Sequence, residues 1–356
     1  MKFKGTGRLL YVAPQAKPTY WCKWHTTSEQ MFPGNKSISI LEHLLIIPIR
    51  PRYHLCPLSQ LQLDRTPINT AVVTIFNLPP EIHHMIFSFI HNPVDIVCLA
   101  FTNRYFWSLS RQYLFNYILC GAGTLAGCKI ACVDEDVRAG NYPPGMLSAE
   151  EQEVVRRKKY PYDETPTILQ HFGANTSSAS YKSVRRTHWL GLKIRCGSRD
   201  LGKDPAFNYV WPHLWPDLET IVDVKQPWIL RNLTTKQFVR SEAIALSEKY
   251  IHGPYIEYFG FGELVVMRSC WTSSPLLNMK SDPTKRKGPW AGHRFDITRL
   301  SRHEEQTRGE EWMDISDEIA SEIATIWEAE YGPEWRTGIV REGFRIKMLD
   351  LHVTRI

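Results

Sequence analysis

The clearest pattern of apolar and polar positions in this chain is helical and lies between about residues 75 and 120. At its start, Pro79 and Pro80 stand where a helix does not use backbone N–H donors, and Glu81 falls in the first turn, where a carboxylate is favoured. Apolar side chains then recur at i, i+3, i+4, i+7 and i+8, the spacing of one helix face. This stripe consists of Ile82, Met85, Ile86, Phe89 and Ile90.

Two more helices are predicted in the same stretch. Asn92 can cap a helix from Pro93 to about Thr102, and a third helix is predicted from Asn103 to about Leu119. Three helices in so short a stretch form a core too small to be robust alone, so an exposed apolar flank would gain stability by docking on a partner. The positions predicted to face inward are Ile96, Leu99 and Ala100 on the second helix, and Phe106, Leu109, Tyr113 and Tyr117 on the third.

The second half of the chain is rich in short apolar runs typical of β-strands. A hairpin is predicted where Trp228–Arg231 and Lys236–Arg240 flank a turn over 232–235. One helix interrupts the strands, because Ile315, Ile319, Ile323, Ile326 and Trp327 recur at helical spacing and Gly332-Pro333 ends the run. Further strands are predicted at Trp189–Cys196, Thr220–Val224, Gly262–Trp271, Trp290–Thr298 and Arg345–Ile356.

The regions around these elements complete the predicted organisation. Residues 1–74 are rich in proline and predict a poorly ordered leader with one or two short elements. Residues 75–120 are the helical domain, and 121–186 a polar connecting region with one or two helices, one of them capped by Ser148. Residues 187–356 are the mixed domain. No repeat with a period of about 20–50 residues is present, so the expected class is α+β, without a solenoid or propeller.

The helical region resembles the F-box family. That family begins with Leu-Pro-x-Glu and an aliphatic residue, continues with Ile-Phe and a further aliphatic residue, and then shows Asp-aliphatic, a helix with small residues, and Arg with an aromatic residue. Two segments downstream, 227–234 and 288–296, are similar to segments that follow the F-box in many uncharacterised fungal proteins. The matching F-box positions are Leu78, Pro79, Glu81, Ile82, Ile86, Phe87, Ile90, Asp95, Ile96, Leu99, Ala100, Arg104 and Phe106.

The resemblance implies a small three-helix F-box followed by a larger α+β domain that recruits a target. It implies binding to the Skp adaptor and, through it, to the cullin scaffold of an SCF-type ubiquitin ligase, with no catalytic residue in this chain. His83-His84 and Asn103 depart from the usual family pattern. Adaptor contact is carried onto Leu78, Pro79, Ile82, Ile86, Phe87, Ile96 and Leu99.

Composition narrows the partner classes. The chain has 356 residues, a net charge of +6 and eight cysteines. Its basic residues form only short clusters at 156–159, 185–186 and 285–287, so nucleic acid is not the expected partner. The cysteines lack the paired spacing of zinc sites, which excludes a RING-type ligase, and no metal or cofactor is expected. No apolar run approaches the roughly 20 residues that span a bilayer. A cytoplasmic or nuclear protein with buried free thiols is therefore expected.

Two constellations in the second half leave alternatives open. Trp211, Trp215 and Trp290 neighbour proline or glycine and are candidates for an aromatic surface that binds the unknown target. His293 and Asp296 lie close in sequence and offer a base with its orienting carboxylate. The alternatives to a ligase subunit are therefore a Skp-bound scaffold outside a ligase, or an enzyme with its site in the C-terminal domain.

Overall fold

The architecture comes from a computed structural model. It describes residues 9–12, 36–49, 75, 78–91, 93–118, 122–134, 137–138, 140–157, 225–272 and 287–341. The predicted strands at 189–196, 220–224 and 345–356 lie outside these ranges, as do Trp211 and Trp215.

The described elements are helices and short strands in mixed order, with three helices in succession between α1 and β2, which fits an α+β protein. A turn of 3₁₀ helix occupies Glu248–Tyr250, and residues 335–341 are helical. In chain order the elements are β1 (Leu9–Val12), α1 (Lys36–Leu45), α2 (Pro80–Phe89), α3 (Pro93–Ala100), α4 (Arg104–Ile118), β2 (Lys129–Asp134), α5 (Ala149–Arg157), β3 (Trp228–Asn232), β4 (Gln237–Arg240), α6 (Ser241–Ile244), β5 (Ile251–His252), β6 (Tyr255–Ile256), α7 (Phe261–Ser269), β7 (Cys270–Trp271), β8 (His293–Arg299), α8 (Leu300–Gln306), β9 (Met313–Asp314) and α9 (Ser316–Tyr331).

The chain divides into two compact units. The helical unit contains α2, α3 and α4, and all of its described residues except Ile49 lie within the predicted 75–120 region. The sheet unit combines the described parts of 1–48, 121–185 and 222–356. The α+β class is confirmed.

The sheet unit is built around one mixed sheet. The strand order is β1-β2-β8-β3-β4-β9, and β7 pairs with β2 outside this path. The β2–β7 and β4–β9 pairs are parallel and the other pairs of this sheet are antiparallel. Strands β5 and β6 form a separate two-stranded sheet. The centre of the large sheet is shielded from solvent, since every residue of β3 is buried.

The predicted hairpin and the predicted long helix are both confirmed. Strands β3 and β4 pair in register from Ile229↔Arg240 to Asn232↔Gln237 around a four-residue turn. Helix α9 buries Ile319, Ile323, Ile326 and Trp327, as their spacing predicts. Ser148 and Glu151 also form the predicted reciprocal cap of α5, with bonds of 3.1 and 2.6 Å.

The strand predicted at Gly262–Trp271 is wrong. Residues 261–269 form helix α7, and only Cys270 and Trp271 are strand. The Glu263 carboxylate accepts the Gly260 N–H at 2.9 Å and so supports the start of the helix. Because α7 is buried on nearly all sides, its sequence carries no polar face. A short, uniformly apolar run does not by itself distinguish a buried helix from a buried strand.

The described parts of the expected leader, residues 9–12 and 36–48, contain two short elements that belong to the sheet unit. Strand β1 pairs with β2, and helix α1 buries Leu41, Leu44 and Leu45. The Ile47 N–H then donates to the Ile297 carbonyl of β8 at 2.8 Å.

Candidate protein-docking surface

Helix α2 turns a row of two residues, His83 and Phe87, into the core of the helical unit. Both side chains are buried, Phe87 to 1% exposure. The Phe87 ring is stacked on Tyr113 with centroids 5.5 Å apart and meets the edge of Phe106 at 5.8 Å. Aromatic pairs in these geometries add to the free energy of area burial. Phe87 is therefore the residue that anchors α2 to α4.

The buried His83 ring spans two other parts of the helical unit. Its Nε2 lies 2.7 Å from the Ile75 carbonyl, which only accepts, so Nε2 carries a proton. In the neutral ring Nδ1 then accepts from the Tyr105 hydroxyl at 3.2 Å. Burial, and secondarily the charge of Glu81, raise the pKa of Tyr105, which keeps this hydroxyl protonated. His83 thus ties Ile75, five residues before α2, to helix α4.

The neighbouring His84 makes a second link between the same two helices. The Tyr113 hydroxyl donates to the His84 carbonyl at 2.9 Å, and His84 Nδ1 lies 2.9 Å from the same hydroxyl oxygen. Because that hydroxyl has one proton, Nδ1–H is the donor in the second bond. The His83-His84 pair, a departure from the usual F-box pattern, therefore has a structural role in holding α2 on α4.

A different row of α2 carries apolar side chains at the surface. Met85 is 52% exposed and Phe89 is 71% exposed, while Ile82 and Ile86 are half-buried. With 3.6 residues per turn, this row lies about a third of a turn from the core-facing row. The apolar stripe read from the sequence is therefore exposed at Met85 and Phe89, and the core takes the His83–Phe87 row beside it.

The turn between α3 and α4 adds one more exposed aromatic residue. Phe101 is 44% exposed and is stacked on Trp107 at 5.2 Å with an angle of 7° between the rings. The Asn103 side chain accepts the Tyr105 N–H at 2.7 Å and caps α4. This cap explains how the second departure from the family pattern is accommodated.

The structure divides the predicted adaptor-contact residues into two groups. Pro79 is exposed, and Leu78, Ile82, Ile86 and Leu99 are half-buried. Phe87 and Ile96 are 1% and 3% exposed, respectively. Their assignment to the contact surface is wrong for this conformation, because both belong to the core of the helical unit.

Met85 and Phe89 were not among the predicted contact residues, yet they are the most exposed apolar side chains of α2. The signal for both was present, since each lies on the apolar stripe. The sequence alone did not show that the stripe faces away from the core. That orientation depends on the aromatic and histidine contacts with α4.

Trp290 does not form part of a target-binding surface, which corrects the sequence prediction. Its side chain is 3% exposed in the sheet unit. The Arg268 guanidinium lies over the indole at 4.6 Å, and the Phe295 ring packs beside it at 5.7 Å. Trp290 is a core residue whose neighbouring Gly and Pro shape the turn before β8.

His293 and Asp296 do not form the dyad considered from the sequence. Being three residues apart on β8, they point to opposite faces of the sheet. His293 Nδ1 lies 2.9 Å from the Asn232 amide nitrogen, and burial lowers the pKa of His293. Asp296 instead accepts two hydrogen bonds from Arg231, at 2.7 and 2.8 Å.

The described residues form neither a metal-binding cluster nor a membrane-spanning helix. Among these residues, no group of three or more His, Cys, Asp or Glu side chains is arranged to hold a metal ion. None of the described helices combines the length and hydropathy needed to cross a bilayer.

Comparisons with protein-family models, with curated proteins and with solved structures give no match to this chain. The F-box resemblance therefore rests on the order of its motif residues alone.

Proposed function

We propose that this chain is a substrate-recruiting subunit of a cullin-type ubiquitin ligase, and that it docks on the Skp adaptor through its helical unit. The observation that carries the proposal is the uncovered apolar row on α2, which begins directly after the Leu78-Pro79 pair. Met85 and Phe89 are the most exposed members of this row.

The exposed apolar side chains and the small size of the helical unit also support docking. An exposed phenylalanine and methionine on one helix face cost solubility unless a partner covers them. A three-helix core is also small, so burial of this row on a partner adds stability that the unit lacks alone. An adaptor that presents an apolar groove satisfies both needs.

The proposed mechanism is proximity. The helical unit binds the adaptor and hence the cullin scaffold, while the sheet unit binds a target protein. A ubiquitin-conjugating enzyme on the same scaffold then meets the lysines of the target at high effective concentration. In this scheme no side chain of the chain takes part in bond formation.

The test is a binding measurement with purified full-length chain and purified Skp adaptor. Met85→Glu/Phe89→Glu places two charges on the exposed row, where they cannot be buried without cost. We expect the dissociation constant to increase at least tenfold, which corresponds to a loss of about 1.4 kcal/mol of binding free energy. The matched control is Val154→Glu, because Val154 is an apolar side chain with 61% exposure on α5 of the sheet unit.

Three outcomes separate the proposal from its alternatives. The proposal is contradicted if the wild-type chain does not bind the adaptor. It is also contradicted if the α2 double variant and the Val154 control weaken adaptor binding equally. If the chain captures the Skp adaptor from cells but cullin is not captured with it, the scaffold alternative is supported. Leu78→Ala/Pro79→Ala tests the second part of the surface and should lose the adaptor while retaining other captured proteins.

A further inference from the structure

Two cysteines of the sheet unit are brought together by the sheet itself. Cys132 lies on β2 and Cys270 on β7, and they are register partners in the parallel β2–β7 pair. They are 138 positions apart in the sequence, so no spacing rule joins them. Neither is in a disulfide in this structure. Cys132 is 0% exposed and Cys270 is 8% exposed.

The geometry of the pair fits a disulfide. Neighbouring strands lie about 4.8 Å apart, within the range of about 4.4 to 6.8 Å that joins the Cα atoms of disulfide-bonded cysteines. Paired residues also project from the same face of a sheet. Ala131 and Val133 face a cluster with Met146 on one side, so Cys132 projects from the other face of β2. Both sulfurs therefore project on that second face.

The backbone around Cys270 is held on its other side. The Gly288 N–H donates to the Cys270 carbonyl at 2.7 Å, and the Trp290 N–H donates to the Arg268 carbonyl at 2.8 Å. Gly288 passes so close to the Arg268 carbonyl that a Cβ atom has no room there. These contacts fix the backbone around Cys270 against residues 288–290.

We propose that Cys132 and Cys270 form a dithiol site that hydrogen peroxide oxidises to a disulfide. Cys270 reacts first, because its sulfur belongs to the more exposed residue of the pair. Its sulfur takes one peroxide oxygen to form a sulfenic acid as the O–O bond breaks and one water leaves. The Cys132 sulfur then forms the S–S bond, the S–O bond breaks, and a second water leaves. Two thiols lose two electrons and two protons in total.

The disulfide would join β2 covalently to the end of α7. A bond that closes so long a loop restricts the unfolded chain strongly, so the oxidised protein should melt at a higher temperature. The site is a reversible one, since a thiol reductant returns both cysteines to the reduced form.

The experiment treats folded full-length chain with hydrogen peroxide, blocks remaining thiols by alkylation and digests with trypsin. Cleavage after Lys129 and Arg138 gives a peptide with Cys132 as its one cysteine, and cleavage after Arg268 and Lys280 gives one with Cys270 alone. We expect these two peptides to appear joined, and to separate after reduction with dithiothreitol.

Matched variants identify the order of the steps. Cys132→Ser should abolish the joined peptides and leave the Cys270 sulfenic acid to be trapped by dimedone. Cys98→Ser should leave the joined peptides unchanged, because Cys98 is an exposed thiol of the helical unit. Circular dichroism confirms that each variant is folded.

The proposal is overturned if peroxide oxidises Cys98 in folded protein while the Cys132 and Cys270 peptides stay separate. It is also overturned if they join only after denaturation, or if the oxidised protein melts no higher than the reduced one.

Discussion

The helical unit and the sheet unit differ in how completely they cover their apolar side chains. The short described part of the helical unit exposes four large apolar side chains, Ile75, Met85, Phe89 and Phe101. The much longer described part of the sheet unit exposes two large apolar side chains, Val154 and Met313, on separate elements. A sheet covered by helices has enough surface to enclose its core, whereas three short helices do not. Judged from the described residues, the helical unit therefore gains more than the sheet unit from a partner that covers its apolar side chains.

The two units also differ in the polar groups that they bury. The helical unit uses neutral contacts, in which His83 and His84 meet tyrosine hydroxyls. The sheet unit buries charges, among them Arg231 with Asp296, whose side chains are 7% and 5% exposed. Its stability should therefore depend on a few charged contacts, and that of the helical unit on aromatic packing.

The largest effect is expected from Asp296→Ala in the sheet unit. The change removes the carboxylate and leaves the buried Arg231 guanidinium with the uncharged Gln306 side chain at 3.1 Å and the Trp312 ring at 5.8 Å. Breaking one half of a buried ion pair costs about 3–5 kcal/mol of unfolding free energy, because a charge is left without compensation. Urea denaturation of both proteins measures the difference.

The control for that variant is an exposed ion pair of the same unit. Arg157 and Glu153 on α5 are 79% and 38% exposed, and Arg157→Ala should cost only about 0.3–0.5 kcal/mol. Equal losses of unfolding free energy in the two variants would show that burial does not determine how much an ion pair contributes to stability.

A somewhat smaller effect is expected from Phe87→Ala in the helical unit. Truncation of this ring removes the contacts with Phe106 and Tyr113 and should cost about 3 kcal/mol. Hydrogen exchange of the α2–α4 amides measures the loss locally, since two units need not unfold together.

Phe89→Ala is the matched control on the same helix. Its ring is 71% exposed, so protection of the helical unit should change by less than about 0.5 kcal/mol. If both variants lose protection of the α2–α4 amides to a similar extent, the two rings lie in similar environments. The distinction between a core row and an exposed row on α2 would then be wrong.

The effect with the strongest pH dependence is expected from Glu263→Gln. Burial, and then the charge of Glu42, raise the pKa of Glu263 well above its usual 4.5. The folded state therefore binds this proton more tightly than the unfolded state. The resulting stability is fully present below pH 4.5 and is lost as pH rises through the folded-state pKa.

Glutamine keeps an oxygen for the Gly260 N–H and removes the titration. Above pH 4.5 the wild type should lose stability relative to the variant by as much as about 1.4 kcal/mol per pH unit. Denaturation curves collected at several pH values provide the comparison, with Glu305→Gln on the exposed part of α8 as the surface control. A difference that does not vary with pH would contradict the assigned titration.

Several elements were predictable because their signals are local. The β3–β4 hairpin follows from two apolar runs around a short turn, and α9 from the spacing of its isoleucines. The α5 cap follows from Ser148 and Glu151 alone. Helix α7 is not predictable in this way, because it is buried on nearly all sides and its sequence shows no helical alternation of polar and apolar positions.

The sequence by itself determined the α+β class, the three-helix region and the existence of an apolar stripe on α2. Only the tertiary structure decided which way that stripe faces, because the contacts of His83 and Phe87 with α4 involve residues more than twenty positions away. The same holds for the pairing of Cys132 with Cys270. Periodicity shows that a helix has an apolar face. Which residues pack against that face depends on contacts between positions far apart in the chain.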